Sequence, residues 1–495
     1  MMPVTLAQVA EAVDGALHIP DQARAPQGVF EPTVVSDSRQ AHDGSIFVAI
    51  PGERVDGHDF VAQVAGKGAA AAIVEHPVDA PIAQIVVKDS VIALGRLARY
   101  NLAARRAADG DFTIIGITGS VGKTTTKDLL HALLDELGPT VAPFGSFNNE
   151  IGLPLTALHV GKRTRYLIAE MGANHVGEIA RLTQIAPPDI AVVLKVGVAH
   201  LGEFGSRERI AQAKSEIVRG LAPHGTAVLN AGDPYVAAMA RIAPARVLWF
   251  GLDDTRQEGA EPATTARDIT LDDLDHPSFT LVDADGATAK VTLGISGRHN
   301  VANALAAATV ARACGMTLER IASTLSRVDR ISAHRMAVSR IERGGAHFTL
   351  IDDSFNANPD SMKAGLDGLA AWHAQDGRQP YRIAVLGAML ELGDTERDQH
   401  RQIGAYTVGK GIDEIIAVGN RADAHFDALA EAVSQGARER VEASGRDGVS
   451  IHWVHDAAQA DELVVSAAAN HADTVVLLKG SHMSGLSALA ERWSK

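Results

Sequence analysis

Residues 112–137 read FTIIGITGSVGKTTTKDLLHALLDEL, and this stretch narrows the possible folds more than any other in the chain. FTIIGI is short and wholly apolar, the pattern of a strand buried on both faces. TGSVG is a tight glycine loop, and KTTTKDLLHALLDEL has the apolar spacing of a helix. A strand buried on both faces needs helices above and below it. The run therefore belongs in a parallel sheet rather than in an antiparallel sandwich or barrel. Runs of the same kind recur at RYLIAEMG, DIAVVLKVG and GTAVLN, each followed by a helical or loop stretch. The expected fold class is α/β, with mostly parallel sheets.

The 495 residues suggest three domains, at about 100–200 residues each. A first segment, 1–108, holds the apolar runs SIFVAI and AAAIV around the loop PGERVDGHD. It ends in SVIALGRLARYNLAARRA, where Ile92, Leu94, Leu97 and Leu102 are expected near one helical face. A break at Asp109-Gly110-Asp111 opens the second segment, 109–331. Within it, 252–277 is acidic and weakly patterned and reads as a loop-rich insert. FTLVDADGATAKVTL reads as a hairpin turning at Asp285-Gly286, and NVANALAAATVARACG as a helix with a glycine stop. The third segment, 332–495, carries the strands FTLID, RIAVLG, EIIAVG and TVVLLKG between helices, a second α/β unit.

Charge and cysteine usage exclude several roles. With 46 basic and 60 acidic residues the net charge is −14, which disfavours nucleic acid or an anionic membrane as a partner. A single anionic ligand needs only a local positive site. The one cysteine, Cys314, sits in an Ala-rich helical stretch, where it reads as a small core residue, and no internal disulfide can form. The N-terminus MMPVTLAQVAEAVDGAL lacks the basic and apolar regions of a secretory leader. No apolar stretch nears the ~20 residues of a membrane span. The expected location is the cytoplasm.

The glycine loop is the first functional candidate. The usual phosphate loop is G-x-x-x-x-G-K-[ST]. Here Ile117 stands where the first glycine belongs, and Gly119 and Gly122 are three apart. The strand–loop–helix order and the G-K-T-T run still suit a phosphate site, because backbone N–H groups at a helix start point at anionic oxygens. Lys123 would neutralise the β/γ-phosphates and Thr124 would offer its hydroxyl to Mg²⁺. Two neighbouring strands end in Glu170 and near His200, where ligands of an open parallel sheet gather. That pair and Thr124 suit a divalent cation. Lys214, on a helix in IAQAKSEIV, reads by sequence alone as a solvated lysine.

Several stretches together resemble the Mur ligase family, the ATP-dependent amide-forming enzymes of peptidoglycan precursor synthesis. TGSVGKTT looks like that family's variant phosphate loop, and GRHNVANALAA (297–307) like its adenine-binding segment. SAHRMAV, DDSFNANPDSM and LLKGSHMSGL look like its C-terminal motifs, and VVSDSRQAHDGSIFVAIPGERVDGHDF (34–60) like its UDP-sugar-peptide domain. FNNEIGLPLT, EMGANHVGEI, IDDSFNANPDSM and LGAMLELG most resemble the branch that joins D-alanyl-D-alanine to UDP-N-acetylmuramoyl-tripeptide. The diaminopimelate- or lysine-adding branch is the runner-up. It would carry an Asn-Pro-Arg tripeptide, whereas here Asn358-Pro359 is followed by Asp360.

The resemblance implies a UDP-sugar-peptide domain (1–108), a central ATP-binding domain (109–331) and a Rossmann-like ligase domain that takes the amino substrate (332–495). It implies that Gly119, Ser120, Val121, Gly122, Lys123, Thr124 and Thr125 hold the phosphates of ATP. Glu170, His200 and Thr124 would hold Mg²⁺, and a carbamylated Lys214 would help position a second ion. Asn300 and Asn303, one helical turn apart, would face adenine. Arg335 would approach the γ-phosphate and Asp353 the ribose. Ser38, Arg39, Gly57 and His58 would hold the uridine diphosphate part, with Asn149, Asn356, Lys479 and Ser481 near the peptide or amine. Phe355 and His482 depart from the residues common at their positions, tyrosine and arginine. The expected partners are small molecules met by a monomer. A P-loop switch or assembly ATPase is the alternative from another class. A folylpolyglutamate-type ligase shares the core fold but starts directly with the ATPase domain.

Overall fold

The computed structural model describes residues 1–23, 25–52, 55–197, 204–252, 259–272, 275–329, 332, 334–372, 379–390 and 392–494. His200 lies outside the described residues. Three sheets follow one another along the chain. The first contains β1 (Ala16–His18), β2 (Val34–Val35), β3 (Ile46–Val48), β4 (Ala71–Val74) and β5 (Ala83–Val86), in the order β1-β5-β4-β3-β2. Only β1 runs antiparallel to its neighbour.

The second sheet contains β6 (Thr113–Thr118), β7 (Thr140–Val141), β8 (Tyr166–Glu170), β9 (Ile190–Val193), β10 (Thr226–Asn230), β11 (Arg246–Phe250), β12 (Pro262–Leu271), β13 (Pro277–Asp283) and β14 (Thr288–Thr292). Its order is β14-β13-β12-β11-β10-β9-β6-β8-β7, parallel from β7 to β12 and antiparallel beyond. The third contains β15 (Ala337–Arg343), β16 (Ala346–Asp353), β17 (Tyr381–Leu386), β18 (Glu414–Val418), β19 (Ser450–Val454) and β20 (Thr474–Lys479), in the order β15-β16-β20-β17-β18-β19. Only β15 is antiparallel there. The molecule is thus α/β with mostly parallel sheets, as the apolar runs predict.

Two expectations need correction. The segment 252–277 is not a loop-rich insert, because β12 occupies ten residues of it. Its fully buried positions are Thr264, Thr265 and Ala266, none of them a large apolar side chain, and Ile269 packs only partly buried on the core. The Thr264 hydroxyl is instead satisfied by Thr309 Oγ1 at 2.6 Å, on the helix packed beneath it. In the helix Ser90–Ala107, Leu94, Leu97 and Leu102 are buried as expected, but Ile92 is 56% exposed. Ile92 lies two residues before Leu94, about 200° around the helix.

The helix Ser90–Ala107 also joins the first two sheets. Leu94, Leu97 and Leu102 pack in one continuous apolar cluster with Ile46 and Ile73 of the first sheet, Leu167 of the second, and Leu153 and Ile179 on helices of the second segment. Buried Asn101 accepts from the Met2 N–H and donates to the carbonyls of Ala157 and Val160, at 2.8, 3.0 and 2.9 Å. The third sheet has separate apolar clusters on its two faces. A polar bridge ties its approach to the second sheet. Lys127 Nζ donates to Ser332 Oγ at 3.2 Å, and the Ser332 N–H donates to Asp128 Oδ2 at 2.8 Å.

Candidate active site

In the second sheet β6 lies between β8 and β9, so connections leave it on both sides and a crevice opens beyond its carboxyl end. The loop 119–122 fills that position, and the helix Lys123–Asp135 starts on it. Gly122 has φ 84°, and a Cβ there would drive into the Asn303 side chain. Backbone conformation and space both demand glycine at this position. The Ser120 N–H donates to the Lys195 carbonyl, and Ser120 Oγ accepts from the Gly197 N–H, both at 2.9 Å. Lys123 Nζ donates to the Gly119 carbonyl at 2.9 Å. Burial pulls the Lys123 ammonium below its ordinary pKa, Glu170 opposes this, and Arg335 adds to it.

A chain of hydrogen bonds crosses the site. Arg335 Nη2 donates to Ser146 Oγ at 3.1 Å. Ser146 and Thr124 share a bond at 3.0 Å, and Thr124 Oγ1 donates to Glu170 Oε2 at 3.1 Å. The Asn148 amide donates to Glu170 Oε1 at 2.9 Å. With Thr124 donating to the carboxylate, Ser146 must donate to Thr124. The direction thus runs from Arg335, on the third segment, to buried Glu170 at the end of β8. Arg335 Nε is buried and has no hydrogen-bond partner among the described residues. Ser146 and Asn148 were missed at the sequence level, although both lie in or beside FNNEIGLPLT. A serine and an asparagine in a loop have too many bland readings to stand out.

Lys214 corrects its bland reading, because it is buried rather than solvated (2% exposed). It sits on the helix Arg207–Arg219, with Nζ 5.9 Å from the centre of the Phe204 ring. Burial first, then the Lys123 cation, push it down to about 7. Its neighbour Glu216 accepts from the N–H groups of Gly177 and Ala180 at 2.7 and 2.9 Å, which fixes the start of the next helix after Glu170.

Asn300 and Asn303 do share a helical face. The Asn303 amide donates to Asn300 Oδ1 at 2.8 Å, and the Asn300 amide to the Ser296 carbonyl at 2.8 Å. This bonded pair holds the Asn303 side chain close against Gly122 of the phosphate loop.

On the third segment the carboxyl ends of β16, β20 and β17 converge. Lys479 Nζ donates to Asp353 Oδ2 at 2.5 Å and to the Asn356 carbonyl at 3.1 Å. Ser481 Oγ is buried with no hydrogen-bond partner among the described residues. The Arg335 guanidinium lies 4.6 Å from the centre of the Phe355 ring, and that ring is tilted against His482 at 6.1 Å. The Ser481 N–H donates to the Ala388 carbonyl, and the Met389 N–H donates to His400 Nε2, both at 2.9 Å. Burial pushes the His400 imidazole down to about 4. Unfolded, it takes up a proton near 6.5; folded, it stays neutral to about 4. Across that window the unfolded chain binds the extra proton, so stability drops as the pH is lowered, by about 1.4 kcal/mol per unit. Chemical denaturation at pH 6.5, 5.5 and 4.5 should show this slope, and His400→Gln should flatten it.

The first-segment candidates separate. Ser38 and Arg39 lie on a loop where Lys67 Nζ donates to the Ser38 carbonyl at 2.8 Å and Arg39 pairs with Asp37 at 2.7 Å. Gly57 is pressed against the Ile50 backbone, where a Cβ would not fit. His58 is buried. Its Nε2 accepts from the Glu75 N–H at 2.8 Å, its Nδ1 donates to Asp56 at 2.6 Å, and its ring stacks on His76 at 4.2 Å. Both ring nitrogens are thus engaged inside the domain. Asn149 Oδ1 accepts from the Ile151 and Gly152 N–H groups, holding the start of the helix Gly152–Ala157.

A phosphate loop at the switch point of one parallel sheet, met by an arginine from a second α/β unit, is the architecture of a nucleotide-dependent transfer enzyme. The chain matches the profiles of the Mur ligase family catalytic domain over 33–102, the Mur ligase middle domain over 117–311 and the Mur ligase glutamate ligase domain over 334–482. It is 43% identical to the UDP-N-acetylmuramoyl-tripeptide–D-alanyl-D-alanine ligase of Mycobacterium tuberculosis over 510 residues, covering 99% of this chain and 98% of that one. Among solved structures, MurF from Acinetobacter baumannii superposes with a TM-score of 0.81 at 33% identity, covering 100% of this chain and 99% of that one. MurF ligase from Thermotoga maritima, solved in complex with ADP, gives 0.70 at 28% identity, covering 94% and 97%. The chain belongs to the Mur ligase family.

Proposed function

We propose that this chain joins D-alanyl-D-alanine to UDP-N-acetylmuramoyl-tripeptide at the expense of ATP, releasing ADP and phosphate. The carrying observation is the hydrogen-bond chain Arg335–Ser146–Thr124–Glu170, which draws the third segment onto the phosphate loop of the second. Its full-length likeness to relatives of that name supports the choice of substrates.

A carboxylate is a poor electrophile, so the γ-phosphoryl group of ATP passes first to the terminal carboxylate of the tripeptide. The amine then attacks the acyl phosphate. The tetrahedral intermediate loses phosphate, the amine gives up its proton, and an amide remains. Little covalent work falls to the protein; its part is alignment and charge neutralisation. Gly119, Ser120, Val121, Gly122 and Thr125 present the loop to the phosphates. Lys123 and the guanidinium of Arg335 meet the transferring group from opposite segments. Asn300, Asn303 and Asp353 border the nucleoside. Lys479, Ser481 and Asn356 face the incoming amine, Asn149 the growing peptide, and Ser38, Arg39 and Gly57 the uridine end.

Thr124 and Glu170 offer hard oxygen atoms of the type Mg²⁺ takes, and these residues, with His200, would hold it. When bound, the ion supplies charge neutralisation of the phosphate oxygens. Lys214, with a pKa near 7, keeps enough neutral amine to take up carbon dioxide as a carbamate. A ¹³C carbamate resonance in [¹³C]bicarbonate, lost in Lys214→Arg, is the expected result.

On this reading 1–108 holds the nucleotide-sugar, 109–331 the ATP and 332–495 the amine, in one monomer working in the cytoplasm. Phosphate release should require the nucleotide-tripeptide and D-alanyl-D-alanine together. Turnover only with diaminopimelate or lysine would move the chain to the runner-up branch. Turnover with ATP alone would favour a switch or assembly ATPase.

A further inference from the structure

The loop between β7 and the helix Gly152–Ala157 has two working faces. Its residues Pro143–Asn148 read PFGSFN. Ser146 and Asn148 turn to the phosphate loop, bonded to Thr124 and Glu170. Phe144 and Phe147 instead line a cavity of about 520 Å³ between the first and second segments. Gln40 and His42 face them from the first segment, and His131 and Thr156 from the second.

These two rings are anomalous. Phe144 is 89% exposed and Phe147 49%, and they are the only exposed phenylalanines among the described residues. Bare phenyl rings over a cavity are platforms for a flat-faced ligand, a base or the C–H face of a sugar. Among the described residues the remaining wall supplies hydroxyl, amide and imidazole groups but no lysine, arginine, aspartate or glutamate. That lining suits a neutral ring bearing hydroxyl or amide substituents and is wrong for a diphosphate. A cavity of this size takes one ring and its substituents.

We propose that Phe144 and Phe147 hold a neutral ring of the acceptor, its uracil or its N-acetylated sugar, and that Ser146 and Asn148 relay this occupancy to Thr124 and Glu170. The inference rests on the ligase reading above. The relay needs no long path: the residues that touch the acceptor and those that orient the phosphate site alternate within six residues of one loop. Ser146 and Asn148 are positioning residues in this scheme. Gly145, between the two faces, has φ 58°, so the backbone turns there.

The test is calorimetric titration of the full chain with intact UDP-N-acetylmuramoyl-tripeptide, with UDP, with N-acetylmuramoyl-tripeptide, and with ADP. Phe144→Ala should weaken the intact acceptor about tenfold or more. It should leave ADP affinity without acceptor unchanged, and also the melting temperature, since the ring is exposed. The fragment that loses the same factor identifies the ring, base or sugar. Ser146→Ala should keep acceptor affinity but lose the tightening of ADP by acceptor, and Ser146→Thr should restore it. Equal acceptor affinity in wild type and Phe144→Ala would overturn the site. Undiminished coupling in Ser146→Ala would overturn the relay. If the wild-type chain binds no intact acceptor, the ligase reading falls with them.

Discussion

Lys123→Ala should lower phosphate release by about 10³-fold or more while leaving the protein folded. Among the described residues the ammonium of Lys123 makes one hydrogen bond, to the Gly119 carbonyl, and burial already works against its charge. Its removal therefore relieves a desolvation cost in the resting protein. The loss appears only when phosphate charge must be neutralised during transfer, so kcat should fall more than ADP affinity. The melting temperature, read in parallel, should hold or rise slightly. Activity within tenfold of wild type would mean that the loop does not serve phosphoryl transfer.

Lys479→Met should have the largest effect on stability. Lys479 is 1% exposed and its ammonium lies 2.5 Å from Asp353, a carboxylate that is itself buried. Removing the cation strands that carboxylate, at a cost of about 3–5 kcal/mol. The double variant Lys479→Met/Asp353→Leu removes both charges and should recover most of the loss. Urea unfolding followed through Trp493, which packs edge-on against Phe348 in the third segment, reads the change locally. If the single variant were as stable as wild type, water or another cation would have to serve Asp353.

Where one residue type carried a strong local signal, the sequence was legible. The run FTIIGITGSVGKTTT placed β6, its loop and its helix within a residue or two, because apolar runs, glycine and helix spacing agreed. The hairpin at Asp285-Gly286 appeared as expected, with Gly286 at φ 84°. The strand β12 was hidden because its inward threonines look polar until a helix supplies Thr309 as a partner. The burial of Lys214 was hidden for a related reason. Charge on a helix normally means solvent, and only tertiary packing, Phe204 included, makes the exception. The glycine loop announced a nucleotide site, but the link from Arg335 to Ser146 joins residues 189 apart. No local pattern encodes such a meeting.

The shared core under the helix Ser90–Ala107 has a consequence in time. The first two sheets are welded through one apolar cluster, while the third keeps its own clusters and meets the second at the polar Lys127–Ser332 bridge and the Arg335–Ser146 bond. On the proposed reading, the acceptor and the phosphate loop therefore share one body. The amine arrives on another. Arg335 travels with the amine, so the docking that completes the phosphoryl-transfer site also delivers the nucleophile: the reactive acyl phosphate forms only where its capture is already at hand.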